Sequence, residues 1–487
     1  MKICIVAEGS YPYITGGVSS WIQTLITSMP EHEFIIYAIG AQEKDRGKFK
    51  YTLPSNLVEV REVFLDSYLP EKGIPGKSYK LNQSQKNVIK SLLTNQVSNW
   101  EDFLSLFYSR KVKIDSVANF MASKDIFDII QELCVEQETE IPFTEMYWSV
   151  RSMLVPLLLV LTNPLVEADI YHSVSTGYAG VVGAFGKYRY DKPFVLTEHG
   201  IYTREREEEI IKADWIHGSF KDFWIQYFYS LSNCAYSYSD EVISLFTKNK
   251  EIQIEIGCEE ERISIIPNGV DAMDYRHLPQ KTKEDDAYIN IGAIVRVVPI
   301  KDIKTMLHSY AIIKQQVPHA QFFIFGPYEE DLEYYEECLQ LVHSLGIDDV
   351  YFTGSINIKE HIGRMDLLVL TSISEGQPLA ILEGLACGKP FVCTDVGSCR
   401  ELITGLDDGY GSAGYVVPVM NYLAIAEAIM KLVENPNLRS VMGTNGQKRV
   451  EALYAKSTFI DDYKKIYKKR GLRNGRSWDT TKKISER

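Results

Sequence analysis

The sequence predicts an α/β protein built from two doubly wound, parallel-sheet domains. Three observations predict this class. The length of 487 residues exceeds that of a single compact core. Short apolar runs have the composition of strands that are buried on both faces, and amphipathic stretches of helix length alternate with them. Because such sheets bind ligands beyond the carboxyl ends of their strands, we expect two domains facing a central cleft, with site residues in the loops that follow strands.

The C-terminal half shows the alternation most clearly. Six apolar runs are predicted to be strands: Tyr288–Val295, Gln321–Phe325, Val350–Thr353, Asp366–Leu370, Pro390–Thr394 and Gly414–Val417. Helical stretches are predicted between them, for example at Lys301–Gln316, Glu330–Leu345 and Leu379–Cys387. The chain is predicted to be helical after Gly414, and Ser457–Lys469 places an aromatic residue every fourth position on one face.

The N-terminal half repeats the pattern with an interruption. Seven strands are predicted there: Ile3–Ala7, Glu33–Ile39, Leu57–Phe64, Ile170–Ser173, Phe194–Thr197, Val242–Leu245 and Ile263–Ile266. Between about 67 and 165 we predict a mostly helical insertion. The charged segment Ala272–Asp286 is interpreted as a linker. The predicted domains are therefore 1–275 and 285–455, followed by a helix and basic tail over 456–487.

Charge limits the classes of partner. The formal net charge of −13 argues against nucleic acid, whose phosphates need a basic surface. The run 464–487 is an exception, with ten Lys or Arg and two acidic residues. We interpret it as a solvated tail, with peripheral docking on an anionic membrane surface as the alternative.

The cysteines and the apolar runs indicate a cytoplasmic protein. None of the eight cysteines has the spacing of a zinc site, so reduced, buried thiols are expected. No signal peptide is predicted at the N-terminus. The longest apolar run, Met153–Leu161, contains Pro156 and is shorter than the ~20 residues of a membrane span, so it is predicted to be a buried helix.

Two loops of the first domain carry turn signals. Gly16 and Gly17 of "GSYPYITGGVSSW" precede a predicted helix, whose free amides could bind an anion, although a flexible turn is the alternative. This loop lacks the G-x-G-x-x-G pattern of dinucleotide oxidoreductases. The Asn-Gly pair of "IPNGVD" marks the point where the chain leaves the first domain, and structural and functional interpretations of it remain equal.

The segment "TEHGIYTRERE", residues 197–207, follows a predicted strand directly. Glu198, His199, Arg204 and Arg206 would then lie near the cleft. A single histidine is usually structural, but the position at a strand end, beside a glycine and ahead of two arginines, favours a functional His199.

The segment "GAIVRVVPIKD", residues 292–302, places Arg296 at a strand end and Lys301 at the start of the next helix. Two cations at this spacing can converge on one anion. A lysine at a helix N-terminus is electrostatically unfavourable, and a bound diphosphate would reverse the sign of that interaction.

The segment "SEGQPLAILEG", residues 374–384, carries two carboxylates eight positions apart. Pro378 suits the first helical position, so Glu375 is predicted in the preceding loop and Glu383 inside the helix. Amides around Gln377–Ala380 can then meet phosphate oxygens, and each carboxylate can accept two hydroxyl donors. This arrangement predicts a nucleoside-diphosphate-sugar site. The alternative is a charge near a helix start and a solvated glutamate.

The motifs together resemble a known family. The sequence contains "GGVSSW", "TEHG", "IPNGVD", "RVVPIKD", "FFIFGP", "VYFTGS" and "SEGQPLAILEGLACGKPFVCTDVGSCREL". These look like the motifs of retaining glycosyltransferases of the GT-B fold, which has two Rossmann-like domains. The helical insertion and "TEHGIYTREREEEI" are similar to the PelF transferases of Pel exopolysaccharide systems, which are linked to biofilm formation.

The resemblance implies roles for individual residues. Glu383 would hold the ribose, Glu375 the donor hexose, and Arg296 and Lys301 the diphosphate. The implied catalytic residues are His199, Arg296, Lys301 and Glu375. The implied donor-binding residues are Gly17, Arg296, Lys301, Ser355, Ile356, Glu375, Gly376, Gln377, Pro378, Leu379 and Glu383. The implied residues on the acceptor side are Glu198, Tyr202, Arg204 and Arg206.

The resemblance also implies substrates and partners. The first domain would bind the saccharide acceptor and the second the UDP-sugar, with UDP-glucose ahead of UDP-GlcNAc and UDP-GalNAc. No D-x-D motif occurs, so no metal and no cofactor are expected. The implied partners are inner-membrane polysaccharide synthase components that recruit the protein to the inner face of the membrane. A sugar-nucleotide epimerase and a nucleotide-sugar-binding scaffold are the alternatives.

Overall fold

The computed structural model describes residues 1–67, 78–97, 99–108, 113–114, 116–136, 142–216, 218–282 and 287–473. The chain divides into two compact units. Unit 1 comprises Met1–Ser244, Asn249–Ile265 and the described part of Tyr463–Arg487, and unit 2 comprises Leu245–Lys248 and Ile266–Asp462. The chain thus leaves unit 1 ten residues before the predicted boundary at 275. The predicted linker residues 283–286 and the basic tail beyond 473 lie outside the described residues.

The sheet of unit 1 contains seven parallel strands in the order β3-β2-β1-β4-β5-β6-β7. The strands are β1 (Lys2–Glu8), β2 (Glu33–Gly40), β3 (Leu57–Phe64), β4 (Ile170–Ser173), β5 (Phe194–Glu198), β6 (Glu241–Ser244) and β7 (Ile263–Ile265). All residues of β4, β5 and β6 are buried, as expected for parallel strands covered on both faces. The predicted doubly wound sheet is confirmed, and the strand order reverses between β1 and β4.

Helices cover the sheet of unit 1. Their bounds are α1 (Gly17–Thr27), α2 (Gln83–Leu93), α3 (Trp100–Ser105), α4 (Val117–Met121), α5 (Lys124–Glu136), α6 (Phe143–Thr162), α7 (Tyr178–Tyr190), α8 (Tyr202–Lys212), α9 (Gly218–Tyr238) and α10 (Thr247–Glu255). The last of these begins at a residue of unit 2.

The described part of the predicted insertion is helical, from α2 to α6. Helix α6 contains Pro156 and is buried along Met153–Leu161 except at that proline, which confirms the predicted buried helix. Two tyrosine hydroxyls fix α6 to the rest of unit 1. Tyr37 of β2 donates to the carbonyl oxygen of Val160 at 2.8 Å, and Tyr227 of α9 donates to that of Met153 at 2.7 Å. The insertion therefore shares one hydrophobic core with the sheet.

The sheet of unit 2 contains six parallel strands in the order β10-β9-β8-β11-β12-β13. They are β8 (Ile289–Ile294), β9 (Ala320–Phe325), β10 (Val350–Gly354), β11 (Leu367–Leu370), β12 (Phe391–Thr394) and β13 (Gly414–Val417). The helices that follow are α11 (Ile303–Gln316), α12 (Leu332–Leu345), α13 (Leu379–Ala386), α14 (Cys399–Thr404), α15 (Tyr422–Glu434), α16 (Pro436–Leu453) and α17 (Lys456–Arg473). The second predicted sheet is also confirmed.

Side-chain caps set the starts of four helices in unit 2. In each case an Asp or Asn side chain accepts a hydrogen bond from the amide three residues later. The caps are Asp302, Asp331, Asn421 and Asn435. As a result α11 and α12 begin two residues later than predicted. Lys301 does not open a helix but ends a 3₁₀ turn over Pro299–Lys301.

Helix α13 starts differently from those four. Its N-cap is Pro378, which makes no side-chain hydrogen bond, so the predicted first helical residue lies one position outside the helix. The amide of Ile381 donates to the carbonyl oxygen of Pro378 at 3.1 Å, and no side chain of the described residues caps the two amides before it.

Two further predictions concern the cysteines and the membrane. All eight cysteines are free thiols, and none is fully exposed. Over the ranges described above, no helix combines the length and the apolar character needed to cross a bilayer.

Arg449 of α16 ties together the C-terminal part of unit 2. Its side chain is fully buried and pairs with Asp408. It also donates to the carbonyl oxygens of Leu402 at 3.1 Å, Ile403 at 3.0 Å and Gly411 at 2.6 Å. The guanidinium thus satisfies the end of α14 and the loop before β13.

We expect Arg449→Met to destabilise unit 2 by about 3–5 kcal/mol, because the substitution leaves a carboxylate and three carbonyl groups without their donor. The measurement is denaturant-induced unfolding. Arg400→Met is the matched control, since Arg400 forms an exposed ion pair with Asp395 and should contribute at most about 1 kcal/mol. Equal losses in the two variants would contradict this assignment.

Candidate functional site

The loops that follow β8 and β11 carry the predicted phosphate and sugar residues of unit 2. These two strands are neighbours in the sheet, and Leu367 and Leu368 pair with Ile291 and Gly292. Since carboxyl ends of parallel strands meet at one edge, the loops after them lie side by side. Residues more than seventy positions apart in the sequence are thereby brought into contact.

Lys301 and Glu375 form an ion pair at this edge. The ammonium of Lys301 contacts Oε1 of Glu375, and the two side chains are only 17% and 11% exposed. The hydroxyl of Ser372 donates to the same oxygen at 2.6 Å. One carboxylate oxygen of Glu375 is therefore held by two donors.

Hydrogen bonds to backbone carbonyl groups hold together the two loops that carry this pair. The hydroxyl of Thr371 donates to the carbonyl oxygens of Lys301 and Asp302, both at 3.0 Å. The amide of Ile373 donates to the carbonyl oxygen of Ile300 at 2.9 Å. The separation of Lys301 and Glu375 is thus set by the backbone as well as by their own charges.

The loop after β12 supports Glu375 and Gly376 from another side. The amide of Ser398 donates to the carbonyl oxygen of Gly376 at 3.0 Å. Gly397 has φ +52°, and a Cβ there would lie 2.2 Å from the Gly376 oxygen and 2.3 Å from the Glu375 oxygen. Only glycine fits this approach. The Gly-Ser pair after a predicted strand was the available signal in "DVGSCRE", and the sequence reasoning missed it.

Gln377 faces into unit 2. Its side chain is buried, and its Oε1 accepts a hydrogen bond from the amide of Asn268 at 2.6 Å. The glutamine therefore anchors the "IPNGVD" turn beside the start of α13. Its backbone, together with those of Gly376, Pro378 and Leu379, forms the entry to that helix, where uncapped amides can meet an anion.

Glu383 lies one turn into α13 and is half-buried. Burial raises the pKa of its carboxyl, while a hydrogen bond from the hydroxyl of Tyr275 and the charge of Lys359 oppose that rise. Lys359 lies 5.1 Å above the Tyr275 ring and pairs with Asp274 at 2.6 Å. The sequence reasoning missed Tyr275 and Lys359, because their approach to Glu383 depends on the tertiary fold.

Arg296 and Lys301 each pair with a different carboxylate. Nη1 of Arg296 lies 2.6 Å from both carboxylate oxygens of Glu330, in an ion pair whose side chains are 49% and 52% exposed. Arg296 thus pairs with Glu330 and Lys301 with Glu375, and the convergence of the two cations on one anion stays a prediction. Glu330 follows β9 and carries no motif of its own.

Ser355 and Ile356 lie in the exposed loop after β10. Gly354 precedes them with φ +68°, and the Tyr328 ring lies 3.4 Å from the position of a Cβ on that glycine. Tyr328 in turn stacks on Tyr335 at 4.3 Å. The start of the loop therefore packs against the stacked rings of Tyr328 and Tyr335.

In unit 1, Gly17 is the first residue of α1 and His199 follows β5. A Cβ on Gly16 or Gly17 would meet nothing within 4 Å, so the start of α1 is open. The His199 ring lies edge-to-face against Trp21 at 4.8 Å. Burial lowers the pKa of His199 to about 4, and its Nε2 has no hydrogen-bond partner within the described residues. His199 is therefore a neutral imidazole with one unused polar atom.

Glu198 does not face a ligand in this structure. Its carboxylate is fully buried and accepts four hydrogen bonds, from Tyr236 at 2.7 Å, Gln253 at 2.9 Å and Thr176 and the Tyr202 amide at 3.2 Å. About four acceptor sites exist on a carboxylate, so none remains for a substrate. This geometry corrects the predicted acceptor-side position and makes Glu198 the anchor of the loop that carries His199.

The other three predicted acceptor-side residues lie on α8. The buried Tyr202 donates to Glu8 at 3.2 Å, and the Arg206 guanidinium lies 5.1 Å above the Tyr202 ring. Arg204 points elsewhere and comes within 3.8 Å of Glu255 on the surface. The structure brings Tyr202 and Arg206 together and leaves Arg204 apart.

Comparison with known families agrees with this architecture. Residues 1–261, more than half of the chain, match the family described as a domain of unknown function (DUF3492). Residues 274–449 match the family described as glycosyl transferases group 1.

Individual relatives are distant. N-acetyl-alpha-D-glucosaminyl L-malate synthase of Bacillus anthracis is 27% identical over 241 residues, 48% of this chain and 58% of that protein. An uncharacterised glycosyltransferase of Methanocaldococcus jannaschii is 23% identical over 295 residues, 58% of this chain and 70% of that protein. The match to the Bacillus enzyme thus spans less than two thirds of that enzyme's length.

Solved structures share the fold over nearly the whole chain. Anabaena HepE in complex with UDP superposes with a TM-score of 0.62 at 16% identity, covering 96% of this chain and 100% of that one. Sucrose-phosphate synthase from Thermosynechococcus elongatus gives a TM-score of 0.61 at 15% identity, covering 97% and 99%. The two parallel sheets and these matches establish the GT-B fold. The chain belongs to the DUF3492 family, with a group 1 glycosyltransferase domain as its second part.

Proposed function

We propose that this protein is a retaining glycosyltransferase that moves a hexose from a UDP-sugar, first of all UDP-glucose, to a saccharide acceptor. One observation carries the proposal. Lys301 and Glu375 are held together beside the uncapped start of α13, and the half-buried Glu383 lies further along the same helix.

The arrangement suits an elongated ligand with a diol at each end and phosphates between them. Glu375 precedes the helix start, and Glu383 is its fifth residue, about 6 Å further along the axis at 1.5 Å per residue. In the proposal Glu375 accepts hydroxyl donors of the hexose and Glu383 those of the ribose. Lys301, Arg296 and the amides of α13 neutralise the diphosphate, and the loop at Ser355 and Ile356 meets the uracil.

Catalysis follows from the charge that develops on the leaving group. As the bond from the anomeric carbon to UDP breaks, negative charge grows on the diphosphate. Fixed cations and helix-start amides stabilise that charge without reorganisation. Retention of configuration fits attack from the face that UDP leaves, with the departing phosphate accepting the proton of the acceptor hydroxyl. No carboxylate is then needed as a covalent nucleophile.

Several findings support the donor and the broader role. Anabaena HepE, which shares the fold, is known in complexes with UDP and with UDP-glucose. The curated relatives include transferases of several sugars, so the fold alone does not select the hexose. For unit 1 we propose that the neutral His199 contacts the transferred sugar and that Tyr202 and Arg206 lie on the acceptor side. The similarity of the insertion to PelF supports synthesis of a Pel-type polymer at the inner membrane face. We propose that this transfer reaction needs no metal ion.

The test combines ligand binding with product analysis. We expect UDP-glucose at 100 times its Kd to stabilise the protein by about 2.7 kcal/mol in a thermal-shift assay, and to be consumed with release of UDP. UDP-GlcNAc and UDP-GalNAc are the matched comparisons for donor choice. Interconversion of UDP-hexoses without UDP release would indicate an epimerase. Binding without turnover, with any acceptor supplied, would indicate a scaffold.

We expect Arg296→Ala to lower the transfer rate by roughly 10²–10³, because it removes a cation from the charge that develops on UDP. The measurement is kcat/KM with UDP-glucose. Arg364→Ala, a change at another arginine of unit 2 that lies outside the site, is the control. An Arg296→Ala variant with the wild-type rate would remove Arg296 from the mechanism.

Glu330 pairs with Arg296, so the diphosphate of the ligand has to displace Glu330 before it can bind this guanidinium. We therefore expect Glu330→Gln to tighten binding of UDP by up to about fivefold, the range open to an exposed ion pair. Titration calorimetry at low and high salt measures the change, which salt should diminish. Weaker binding in Glu330→Gln would mean that Glu330 orients Arg296 for the ligand instead.

Glu383 should make donor binding depend on pH. Its pKa is raised in the folded protein, so the carboxylate that accepts ribose hydroxyls is lost as the pH falls through a value above the ordinary 4.5. We expect the affinity for UDP-glucose, whose diphosphate stays ionised in this range, to fall there. Glu383→Gln should weaken binding roughly 10- to 100-fold at neutral pH and abolish that pH dependence.

The same substitution has an opposite effect on stability. Because burial disfavours the charged form, Glu383 destabilises the folded state above its raised pKa, and this penalty disappears at lower pH. The ligand-free Glu383→Gln variant should therefore melt no lower than the wild type at neutral pH. A lower melting temperature would show that the carboxylate is needed for folding, and the loss of binding would then need another explanation.

A further inference from the structure

We infer that Tyr463, where the chain returns to unit 1, is a positioning residue that holds His199 in place through the ring of Trp21. The inference deepens the function proposed above and rests on it for the role of His199. It concerns only residues of unit 1.

A buried chain of hydrogen bonds links α17 to the central strands of unit 1. The hydroxyl of Tyr467 lies 2.6 Å from Nδ1 of His172, whose Nε2 lies 2.8 Å from the hydroxyl of Thr197. That hydroxyl lies 2.9 Å from the hydroxyl of Tyr463. All four side chains are fully buried. Burial lowers the pKa of His172 to about 3, so the chain is neutral, with one ring nitrogen donating and the other accepting.

Trp21 carries this rigidity to His199. Its ring makes edge-to-face contacts with Tyr463 at 5.3 Å, with His172 at 5.8 Å and with His199 at 4.8 Å. Edge-to-face contacts fix the mutual orientation of aromatic rings. Tyr463 and His199 therefore contact the same indole, which transmits any displacement of one ring to the other.

Tyr463 also binds β5 close to His199 in sequence. Thr197, its hydrogen-bond partner, lies on that strand, two positions before His199, which follows the strand. A second element is fixed at the same time, because Trp21 lies about one turn after Gly17 on α1. One tyrosine near the end of the described chain thus touches two of the elements of unit 1 that carry or precede predicted site residues, α1 and β5.

Positioning of His199 matters because its Nε2 is the atom available to contact the substrate. This Nε2 is buried and has no hydrogen-bond partner within the described ranges, so no hydrogen bond from those residues fixes that end of the ring, which packs against Trp21. A catalytic group must be held to within a fraction of an ångström of its productive position. The hydrogen bonds that rigidify Trp21's neighbours are therefore placed one contact away from the atom that would meet the substrate.

The experiment compares four substitutions. Tyr463→Leu and Trp21→Phe each loosen the contact with His199, and both should lower kcat with UDP-glucose at least about tenfold while changing KM less. Tyr171→Leu is the matched control, because Tyr171 is equally buried on β4 beside His172 and its hydroxyl bonds instead to the carbonyl oxygen of Val166. It should reduce stability but leave kcat within about twofold. Tyr463→Phe keeps the ring and should recover most of the lost kcat.

Two further measurements separate positioning from general packing. In a His199→Ala background, Tyr463→Leu should cause no additional loss of kcat, since its effect passes through the imidazole. In NMR titrations the His199 ring of the wild type should titrate near the value of about 4 that burial imposes, and in Tyr463→Leu or Trp21→Phe it should shift toward the ordinary 6.5.

Each outcome decides the inference. Equal losses of kcat in Tyr463→Leu and Tyr171→Leu, additive losses in the His199→Ala background, or an unchanged His199 titration in both loosened variants would overturn it. If Tyr463→Leu does not fold, Trp21→Phe alone decides. If the wild type turns over no UDP-sugar, the proposed function fails, whereas the NMR titration still tests whether Tyr463 and Trp21 hold His199.

Discussion

The candidate donor site depends on the hydrogen bonds that join the loops after β8 and β11. Thr371 binds the carbonyl oxygens of Lys301 and Asp302, and Ile373 binds that of Ile300. These bonds bring the cation of one loop against the carboxylate of the other before any ligand is present. Because they involve the backbone, the position of the Lys301–Glu375 pair depends little on the two long side chains themselves, which alone would lose much conformational freedom.

The proposed binding groups are paired with side chains of unit 2. Lys301 pairs with Glu375, Arg296 with Glu330, and Glu383 with Tyr275. A donor must therefore exchange these contacts for its own, and the energy gained is the difference between the two sets. The exposed Arg296 pair yields easily, whereas the largely buried Lys301 pair is retained more strongly. In our proposal Lys301 keeps its position in the site, whereas Arg296 moves from Glu330 onto the diphosphate.

The fold and the site were predictable from the sequence to different degrees. Strands such as Leu57–Phe64, Ile170–Ser173 and Gly414–Val417 have the predicted bounds, because β-branched and aromatic residues mark each of them. The starts of α11 and α12 were missed by two residues, since the capping side chains of Asp302 and Asp331 stand outside the apolar pattern. Glu330 and Tyr275 were missed because no local pattern distinguishes them, whereas Gly397 had a local signal in the Gly-Ser pair that follows a predicted strand.

The sequence by itself determined the two parallel sheets, the helical insertion and the motifs after the strands, since these follow from local periodicity and from the edge where strands end. Only the tertiary structure decided which charges meet and which are buried. Glu198 and Glu375 are both glutamates close to strand ends, yet the first accepts four hydrogen bonds in the core and the second pairs with a lysine at the edge of the sheet. That difference arises from partners distant in sequence, and burial and pairing depend on those partners.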